Sequence, residues 1–321
     1  MGASPDLFGK TMQSSIQRIG VIGLGHMGSD FAGNLVADGY QVTVYDRDEK
    51  HAAPLVARGA TAAAAITDLA SCEAVLTSLP DDDALADVTL RDQGLIRALA
   101  PGAIHVSMST VSPGLSRRLA QQHRFARQDY VAAPVLGNPD LAQARKLFVI
   151  VAGESPAVAR VSPVLHRLGQ RLFLLGDDPG FANLMKVAAN ALTALTLQSM
   201  GEVLALLRKG GVDVRVAFEV LTGSLFDGKV HQTYGGKIVE NHYSPPGMTT
   251  PLAVKDLRLA LTEAEHLAVP MPAASLVHDR LVATIARGWT ELDWSALGLL
   301  AASDAGLPSG MSSSQERPPV R

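Results

Sequence analysis

Short apolar runs alternate with stretches of helical periodicity along the first half of the chain. This alternation is typical of a parallel sheet covered by helices on both faces. Residues 18–178 are therefore predicted to form an α/β domain with a doubly wound, Rossmann-type sheet. The predicted strands are 19–22, 41–45, 74–78, 104–108, 130–135 and 147–151, and the predicted helices include 30–37, 49–58 and segments that begin near 81 and 112.

The pattern changes near residue 178, beyond which the apolar residues have only helical spacing. The segment 180–209 has no internal proline and is followed by two glycines, so it is predicted to be one long inter-domain helix. Further helices are predicted at 212–221, 230–240, 251–267, 271–287 and 294–301. The second domain, residues 179–302, is expected to be all-helical and to bind substrate and mediate dimerisation.

Apolar residues cover much of the circumference of the long helix. A membrane span would explain them, but Lys186, Asn190 and Glu202 interrupt the apolar stretch, so burial within protein is favoured. The helical domain could bury this helix alone, or helices of a second subunit could cover part of it. The second arrangement is expected, which gives a homodimer through the helical domain.

The composition is that of a well-packed globular protein, since 47% of the 321 residues are hydrophobic and 18% are charged. A net charge of −3 without a basic stripe argues against a nucleic-acid partner. Cys72 is the single cysteine, which fits a reducing cytoplasm, and the histidine spacing predicts no metal site. Residues 1–17 lack the apolar core of a signal peptide, and they and residues 303–321 are expected to be flexible.

The stretch 20–28 reads Gly-Val-Ile-Gly-Leu-Gly-His-Met-Gly and links a predicted strand to a predicted helix. In a dinucleotide-binding turn the first glycine permits the turn, the second lets the backbone approach a pyrophosphate, and the third allows close helix–strand packing. Asp46 ends the next strand 18 residues after Gly28, near the spacing of a ribose-binding acid. A dinucleotide site is predicted, and a glycine turn of purely structural use is the alternative. The residues predicted to contact the cofactor here are Gly23, Leu24, Gly25, His26, Met27, Gly28, Asp46 and Arg47.

Two adjacent residues give opposite indications about the identity of the cofactor. The Asp46 carboxylate can accept hydrogen bonds from ribose hydroxyls and would repel a 2′-phosphate, which favours NAD. The Arg47 guanidinium could instead bind a 2′-phosphate, which favours NADP. The cofactor is expected to be NAD or NADP, with NAD the better match to Asp46.

Lys186 lies between Asn183 and Asn190, and the spacing i, i+3, i+7 puts the three on one face of the long helix. An ammonium on an apolar helix is costly to bury unless it is paired or used. Placed beside a nicotinamide, it could exchange a proton with the oxygen of a carbonyl or hydroxyl substrate. The alternative is a lysine that extends to solvent from the helix end.

Further candidate residues follow predicted strands, at the ends where ligands bind in such sheets. They are Leu79, Pro80, Ser109, Thr110, Gly137 and Asn138. The pair Lys255-Asp256 is interpreted from its own surroundings as a solvated helix face.

Four blocks of the chain, in order, resemble the β-hydroxyacid dehydrogenase family, which includes 3-hydroxyisobutyrate dehydrogenase and tartronate semialdehyde reductase. The blocks are the glycine stretch 20–28, Tyr-Val-Ala-Ala-Pro-Val-Leu-Gly at 130–137, Gly-Phe-Ala-Asn-Leu-Met-Lys-Val-Ala-Ala-Asn at 180–190, and Lys-Asp-Leu-Arg-Leu-Ala at 255–260. The resemblance implies that Lys186 is the catalytic lysine with Asn190 as its partner. It also implies that Leu79, Pro80 and Thr110 line the nicotinamide side and that Lys255 contacts the cofactor. An interlocked dimer and a small-molecule hydroxy acid or semialdehyde substrate are further implications.

One block departs from the family pattern. Where relatives have a serine and a second glycine that bind a substrate carboxylate, this chain has Leu136 and Asn138. Either Asn138 and the Gly137 amide replace those groups, or the substrate is bulkier, less polar or not a carboxylate. An imine reductase on the same scaffold and a non-catalytic dinucleotide-binding protein are the alternative functions, although the presence of Lys186 favours carbonyl and alcohol chemistry.

Overall fold

The computed structural model describes residues 16–308, so most of both expected extensions lies outside the described residues. Within that range Ile16 is buried, and the amide of Gln17 donates to the Glu73 carboxylate at 2.9 Å. The chain divides into two compact units at the bond between Lys186 and Val187. Each unit is described separately.

The described part of the first unit contains nine strands, seven helices that end within it and two short 3₁₀ turns. The strands are β1 (Arg18–Ile22), β2 (Gln41–Tyr45), β3 (Thr61–Ala62), β4 (Ala74–Thr77), β5 (Ile104–Ser107), β6 (Asp129–Ala132), β7 (Val135–Leu136), β8 (Leu147–Gly153) and β9 (Gly169–Leu174). The helices are α1 (His26–Ala37), α2 (Ala53–Val56), α3 (Asp82–Leu90), α4 (Leu95–Ala98), α5 (Pro113–Phe125), α6 (Pro139–Gln143) and α7 (Ser155–Leu165), and the 3₁₀ turns are Glu49–His51 and Ile66–Leu69.

The strands form one sheet in the order β3-β2-β1-β4-β5-β6-β8-β7, with β9 paired to β8. All neighbours from β3 to β6 are parallel. Alternate residues of these strands pack on opposite faces: Val21 and Leu76 belong to one apolar cluster, and Ile22 and Val75 belong to another. The predicted doubly wound fold is confirmed, and its strand order changes direction at β1, where ligands bind in such sheets.

The far edge of the sheet differs from the prediction because β8 is antiparallel to both β6 and β7. The single strand predicted at 130–135 is divided into β6 and β7 around Pro134, which has no amide to donate to a ladder. The connection from β7 to β8 spans only residues 137–146, too short for the crossover that a parallel pairing would need.

The prediction also omitted β3, α4, α6 and α7, and two further differences have a local cause. The helix expected at 49–58 is a 3₁₀ turn followed by the four-residue α2, since Pro54 cannot donate the bond that would continue one helix. β9 was missed because its polar residues Gln170 and Arg171 are adjacent, which conceals the strand periodicity.

The second unit is helical, as predicted. Its spine is α8 (Gly180–Lys209), a helix of 30 residues that begins in the first unit. The helices that follow are α9 (Val214–Thr222), α10 (Lys229–Val239), α11 (Thr250–His266), α12 (Pro272–Ala286) and α13 (Leu297–Asp304). A Cβ on Gly201 of α8 would lie 2.7 Å from the Cα of Gly298, so α8 and α13 approach closely because both residues are glycine. Among residues 16–308, none of the helices combines the length and apolar character needed to cross a membrane.

Candidate active site

The turn between β1 and α1 requires glycine at two positions. Gly23 has a φ of +86°, and a Cβ there would lie 2.3 Å from the carbonyl oxygen of Ser78. At Gly28 a Cβ would lie 1.8 Å from the carbonyl oxygen of Gly23, so the helix can follow the turn this closely only without a side chain. Gly25 has nothing within 4 Å of its Cβ position, which leaves space beside the backbone of the loop. Gly23 and Gly28 thus have the predicted turn and packing geometry, and the approach of a pyrophosphate to Gly25 stays a prediction.

The amino terminus of α1 has no side-chain cap. Its N-cap residue is Gly25, and its first turn contains no acidic side chain. By contrast, α3, α5 and α6 are capped by Asp81, Ser112 and Asn138, whose side chains accept bonds from amides of the first turn. The first amides of α1 therefore have capacity for an anion, and the pyrophosphate of a dinucleotide fits this position beside the open loop.

The remaining residues of the loop differ in exposure. Leu24 is buried, and Met27 is half-buried against the core of the sheet. Both side chains are used in packing, so these residues can offer only their backbone to a ligand. His26 is exposed on the first turn of α1, where its ring is accessible to a phosphate.

Asp46 follows β2 directly and faces the glycine turn. Its Oδ2 accepts from the amide of Leu24 at 2.7 Å, and its Oδ1 accepts from the amide of Asp48 at 2.9 Å. Burial raises the pKa of this carboxyl, but the two amides and His51 outweigh it, so the pKa is lowered from its ordinary value. The carboxylate is therefore ionised at neutral pH, as an acceptor of ribose hydroxyls must be. Arg47 beside it is exposed.

Ser109 joins two segments that follow neighbouring strands. Its hydroxyl accepts from the amide of Leu79 at 2.8 Å and lies 3.4 Å from the carbonyl oxygen of Thr77. The segment 79–80 after β4 is thereby tied to the segment 109–110 after β5. Thr110 is half-buried and Pro80 is exposed at the same edge of the sheet, next to the turn after β1. The structure thus brings these predicted residues together within the first unit.

The segment after β7 contains the residues that depart from the family pattern. Leu136 is half-buried and packs on an apolar cluster, so its side chain adds no polar group. Gly137 has a φ of +145°, a conformation that favours glycine. The Oδ1 atom of Asn138 accepts from the amide of Leu141 at 3.1 Å and caps α6, which leaves the amino group of the side chain as its remaining donor.

The first two turns of α8 hold two of the predicted polar residues within the first unit. Lys186 is only 7% exposed, so it does not extend into solvent as the alternative interpretation required. Asn183 is completely buried. Its Oδ1 accepts from the Ser116 hydroxyl at 2.7 Å, and its Nδ2 lies 3.4 Å from the carbonyl oxygen of Ser109. Asn183 therefore bonds to the protein, which differs from the expectation that it binds substrate.

In the second unit, Asn190 donates to the carboxylate of Asp256, which is 1% exposed. The other oxygen of Asp256 lies 2.8 Å from Nζ of Lys255. The interpretation of this pair as a solvated face is wrong, since Lys255 is also largely buried. Asp256 could have been found from the sequence because it lies on the apolar stripe of α11, next to Leu257 and between Ala253 and Ala260.

The described residues contain no group of three or more His, Cys, Asp or Glu side chains that could hold a metal ion. The arrangement instead combines an uncapped helix terminus, a glycine turn, an ionised carboxylate after β2 and a buried ammonium on α8. These features define a dinucleotide-binding oxidoreductase.

Comparison with known proteins identifies the family. Residues 18–176 match the profile of the NAD binding domain of 6-phosphogluconate dehydrogenase, and residues 180–300 match that described as NAD-binding of NADP-dependent 3-hydroxyisobutyrate dehydrogenase. The chain belongs to the β-hydroxyacid dehydrogenase family. It is an oxidoreductase of the class that acts on CH–OH groups with a nicotinamide dinucleotide.

Individual relatives cover nearly the whole chain. An uncharacterised oxidoreductase of Bacillus subtilis, YfjR, is 37% identical over 87% of this chain and 98% of its own. The NAD-dependent L-serine dehydrogenase of Pseudomonas aeruginosa is 31% identical over 88% of this chain and 97% of its own. The solved structure of Mycobacterium tuberculosis 3-hydroxyisobutyrate dehydrogenase with L-serine has a TM-score of 0.79 at 25% identity and covers 88% of this chain and 98% of that one.

Proposed function

We propose that this protein interconverts a short hydroxy acid and its semialdehyde or keto form, with Lys186 as the general acid and base. The observation that carries the proposal is the burial of Lys186, which is 7% exposed on the helix that follows the dinucleotide-binding fold. Transferring an ammonium from water into the protein interior costs on the order of several kcal/mol. A catalytic role for Lys186 would explain why the lysine is buried despite this cost.

The bound dinucleotide supplies or accepts the hydride at the substrate carbon. In the reductive direction, the Lys186 ammonium donates a proton to the substrate oxygen as negative charge develops on it. In the oxidative direction, the neutral amine accepts the hydroxyl proton. In the second unit, the amide group of Asn190 has its direction set by the bond to Asp256, and its contact with substrate stays a prediction from the sequence.

The cofactor that the geometry favours is NAD. The Asp46 carboxylate is ionised and held 2.7 Å from the amide of Leu24, beside the turn that would receive the pyrophosphate. A 2′-phosphate at this place would bring two negative groups together. The exposed Arg47 could offset part of that repulsion, so binding of NADP is weaker in this proposal and is not abolished.

The segment after β7 supports our proposal for the substrate class. Leu136 supports a substrate with an apolar substituent, because its side chain has no hydrogen-bonding group. The amide of Gly137 and the amino group of Asn138 could donate hydrogen bonds to a carboxylate of the substrate. Thr110, at the neighbouring strand end, could contact either the substrate or the nicotinamide side of the cofactor.

We further infer a cytoplasmic homodimer formed through the helical unit. Large apolar side chains are exposed on successive helices, among them Leu206 of α8 at 71% and Val220 of α9 at 64%. Exposed apolar residues in such numbers mark an interaction surface. Light scattering should give twice the chain mass, and Leu206→Glu should shift the protein to the monomer. A wild-type monomer at micromolar concentration would contradict the dimer.

The decisive experiment combines cofactor titration with a substrate panel. NADH and NADPH binding is measured by fluorescence, and the preferred cofactor is then assayed with L-serine, 3-hydroxyisobutyrate, tartronate semialdehyde, succinic semialdehyde and a cyclic imine. Turnover of the carbonyl and hydroxy compounds supports the proposal, whereas turnover of the imine alone would favour an imine reductase.

Lys186→Ala and Lys186→Met test the role of the ammonium. Both are expected to lower kcat by at least about 1,000-fold while NADH binding changes by less than about threefold. The exposed Lys146 serves as the matched control, and Lys146→Ala should retain wild-type turnover. Near-normal turnover of either Lys186 variant would refute the general acid and base assignment.

A further inference from the structure

Three buried side chains of the first unit form a continuous chain of hydrogen bonds that ends on α8. The Tyr130 hydroxyl lies 3.1 Å from Ser116 Oγ, which lies 2.7 Å from Asn183 Oδ1. Asn183 Nδ2 reaches the carbonyl oxygen of Ser109 at 3.4 Å. We call Tyr130, Ser116 and Asn183 the hydroxyl chain, and each of its members is buried.

The direction of each proton in the hydroxyl chain can be assigned. The amino group of Asn183 must face the carbonyl oxygen of Ser109, because a carbonyl only accepts. Its Oδ1 therefore faces Ser116, and the single hydroxyl proton of Ser116 is donated to it. In its bond with Ser116 the Tyr130 hydroxyl is then the donor, and Ser107 is a second hydroxyl group close to it. Ser116 therefore contacts Asn183 directly, and Tyr130 supports the Ser116 hydroxyl from its other side.

The tyrosine at the start of the hydroxyl chain is itself held in place. Its ring stacks against His123 with the centroids 5.8 Å apart, and the edge of His105 meets it at 5.1 Å. Burial raises the pKa of Tyr130 to about 12, so the hydroxyl keeps its proton throughout the working pH range. Tyr130 therefore remains a hydrogen-bond donor across this range.

The same helix that contributes Ser116 also holds the beginning of α8. Arg117 donates from Nε to both oxygens of Asp178, at 3.1 Å and 2.9 Å. Asp178 in turn accepts from the amide of Gly180 at 2.8 Å, at the first residue of α8. A Cβ on Gly180 would lie 2.7 Å from the Arg117 guanidinium, so this side chain packs directly against the first residue of α8. Two adjacent residues of α5 thus fix the first two turns of α8.

We propose that Tyr130 and Ser116 are positioning residues for Lys186. Asn183 lies on the same face of α8 and one turn before Lys186, so a bond that fixes Asn183 fixes the rotation and the axial position of the lysine. Asn183 donates to the backbone carbonyl oxygen of Ser109, and the hydroxyl of Ser109 accepts from the amide of Leu79 in the segment 79–80. The hydroxyl chain therefore sets the distance between the lysine and the strand ends proposed to line the nicotinamide.

Apolar packing alone would not give this precision. Ala182 on α8 packs in an apolar cluster with Leu115 and Leu119 of α5, and such contacts have no directional preference. Hydrogen bonds weaken steeply away from linear geometry, so they define one register of the two helices. Catalytic groups must be held to within about 0.5 Å, which directional bonds can achieve.

This inference rests on the proposed role of Lys186, and its test separates the two. Tyr130→Phe and Ser116→Ala remove one hydroxyl group each. Each variant is expected to lower kcat by about tenfold or more with an unchanged KM for NAD, because the lysine is displaced while the glycine turn is intact. The double variant should be no slower than the slower single variant, since both hydroxyls act through Asn183.

The matched control is Thr89→Val. Thr89 is buried in the same unit, and its hydroxyl has no hydrogen-bond partner among the described residues, so its loss should change neither kcat nor helix protection. Amide hydrogen exchange of residues 180–190, measured on the protein without cofactor, provides the second readout. Exchange there should accelerate at least tenfold in Tyr130→Phe and Ser116→Ala and remain unchanged in Thr89→Val.

Wild-type kcat in both single variants, or unchanged exchange over 180–190, would overturn the positioning role. Full turnover of Lys186→Ala would instead refute the proposed function. In that case the exchange measurement would still report whether the hydroxyl groups hold α8, so the two failures are distinguishable.

Discussion

Two neutral histidines in the core of the first unit predict that the protein loses stability in mild acid. The amino group of Gln128 donates to backbone carbonyl oxygens, so its Oε1 must accept from Nδ1 of His123 at 2.8 Å. Nε2 of His123 then accepts from Nδ1 of His105 at 2.9 Å, and Nε2 of His105 accepts from the Thr77 hydroxyl at 3.0 Å. A proton added to Nε2 of His123 would replace an acceptor by a donor that faces the Nδ1–H of His105.

The magnitude follows from the pKa values. Burial lowers the pKa of His123 from 6.5 to about 4, and burial together with the neighbouring His123 lowers the pKa of His105 well below its ordinary value. As the pH falls below the ordinary value, the unfolded chain binds protons that the folded chain cannot bind. The stabilisation is therefore complete above the unfolded pKa and is lost as the pH approaches the folded pKa. For His123 alone the loss is about 2 kcal/mol near pH 5 and about 3 kcal/mol near pH 4.

The assay uses the single cysteine of the chain. Cys72 is buried in the first unit, so its reaction with 4,4′-dithiodipyridine in increasing urea reports the unfolding of that unit. In His123→Gln the slope of the unfolding free energy against pH should be smaller than in wild type by roughly 1.4 kcal/mol per pH unit. This difference corresponds to about one proton bound on unfolding. The control is His166→Gln at an exposed position after α7, which should retain the wild-type slope.

The comparison of slopes does not depend on how much His123→Gln destabilises the protein at neutral pH. Equal slopes in wild type and His123→Gln between about pH 5 and 6 would refute the assignment of neutral, acid-sensitive rings. In a double variant that also carries His105→Gln, the slope of the unfolding free energy against pH should decrease further, by the equivalent of a second bound proton.

Three further predictions concern the glycine turn, the cofactor and the helical spine. Gly28→Ala should abolish NADH binding measured by fluorescence, because its Cβ would lie 1.8 Å from a backbone oxygen, whereas Gly114→Ala, with open space around it, should bind normally. Asp46→Asn should change the ratio of NADH to NADPH affinity by about tenfold, or 1.4 kcal/mol, toward NADPH, and an unchanged ratio in paired titrations would contradict the ribose contact. Gly201→Ala should destabilise the second unit by about 1–3 kcal/mol, since its Cβ would lie 2.7 Å from the facing glycine of α13; tryptophan fluorescence in urea measures this, with Gly210→Ala as the control.

Local patterns were sufficient for much of the fold because the elements concerned are stabilised by their own residues. The long helix 180–209 was predicted with its observed bounds, since it has no proline and ends at a pair of glycines. Ser112 and Pro113 start α5 as predicted, with Ser112 as the cap. The antiparallel edge was missed, because it depends on which strands become neighbours. The break at Pro134 was missed although the proline that causes it is visible in the sequence.

The residues of the candidate site were likewise predictable where they lie close together in the chain and not where they lie far apart. The glycine turn and Asp46 are recognisable in sequence because a phosphate-binding turn imposes a fixed spacing on a short segment. The burial of Asp256 was interpreted wrongly from its immediate neighbours, although the stripe of α11 contains it. The hydroxyl chain could not be predicted, since Ser116 and Asn183 lie 67 positions apart.

The sequence by itself determined the class of fold, the all-helical second half, the dinucleotide turn and the lysine on the long helix, because each is encoded by residues close together in the chain. Only the tertiary structure decided that Lys186 is buried, that Asn183 bonds to Ser116 and that Asp256 orients Asn190. Those facts depend on which distant side chains meet when the apolar clusters pack. A buried polar group must find its partner there, wherever in the chain that partner lies.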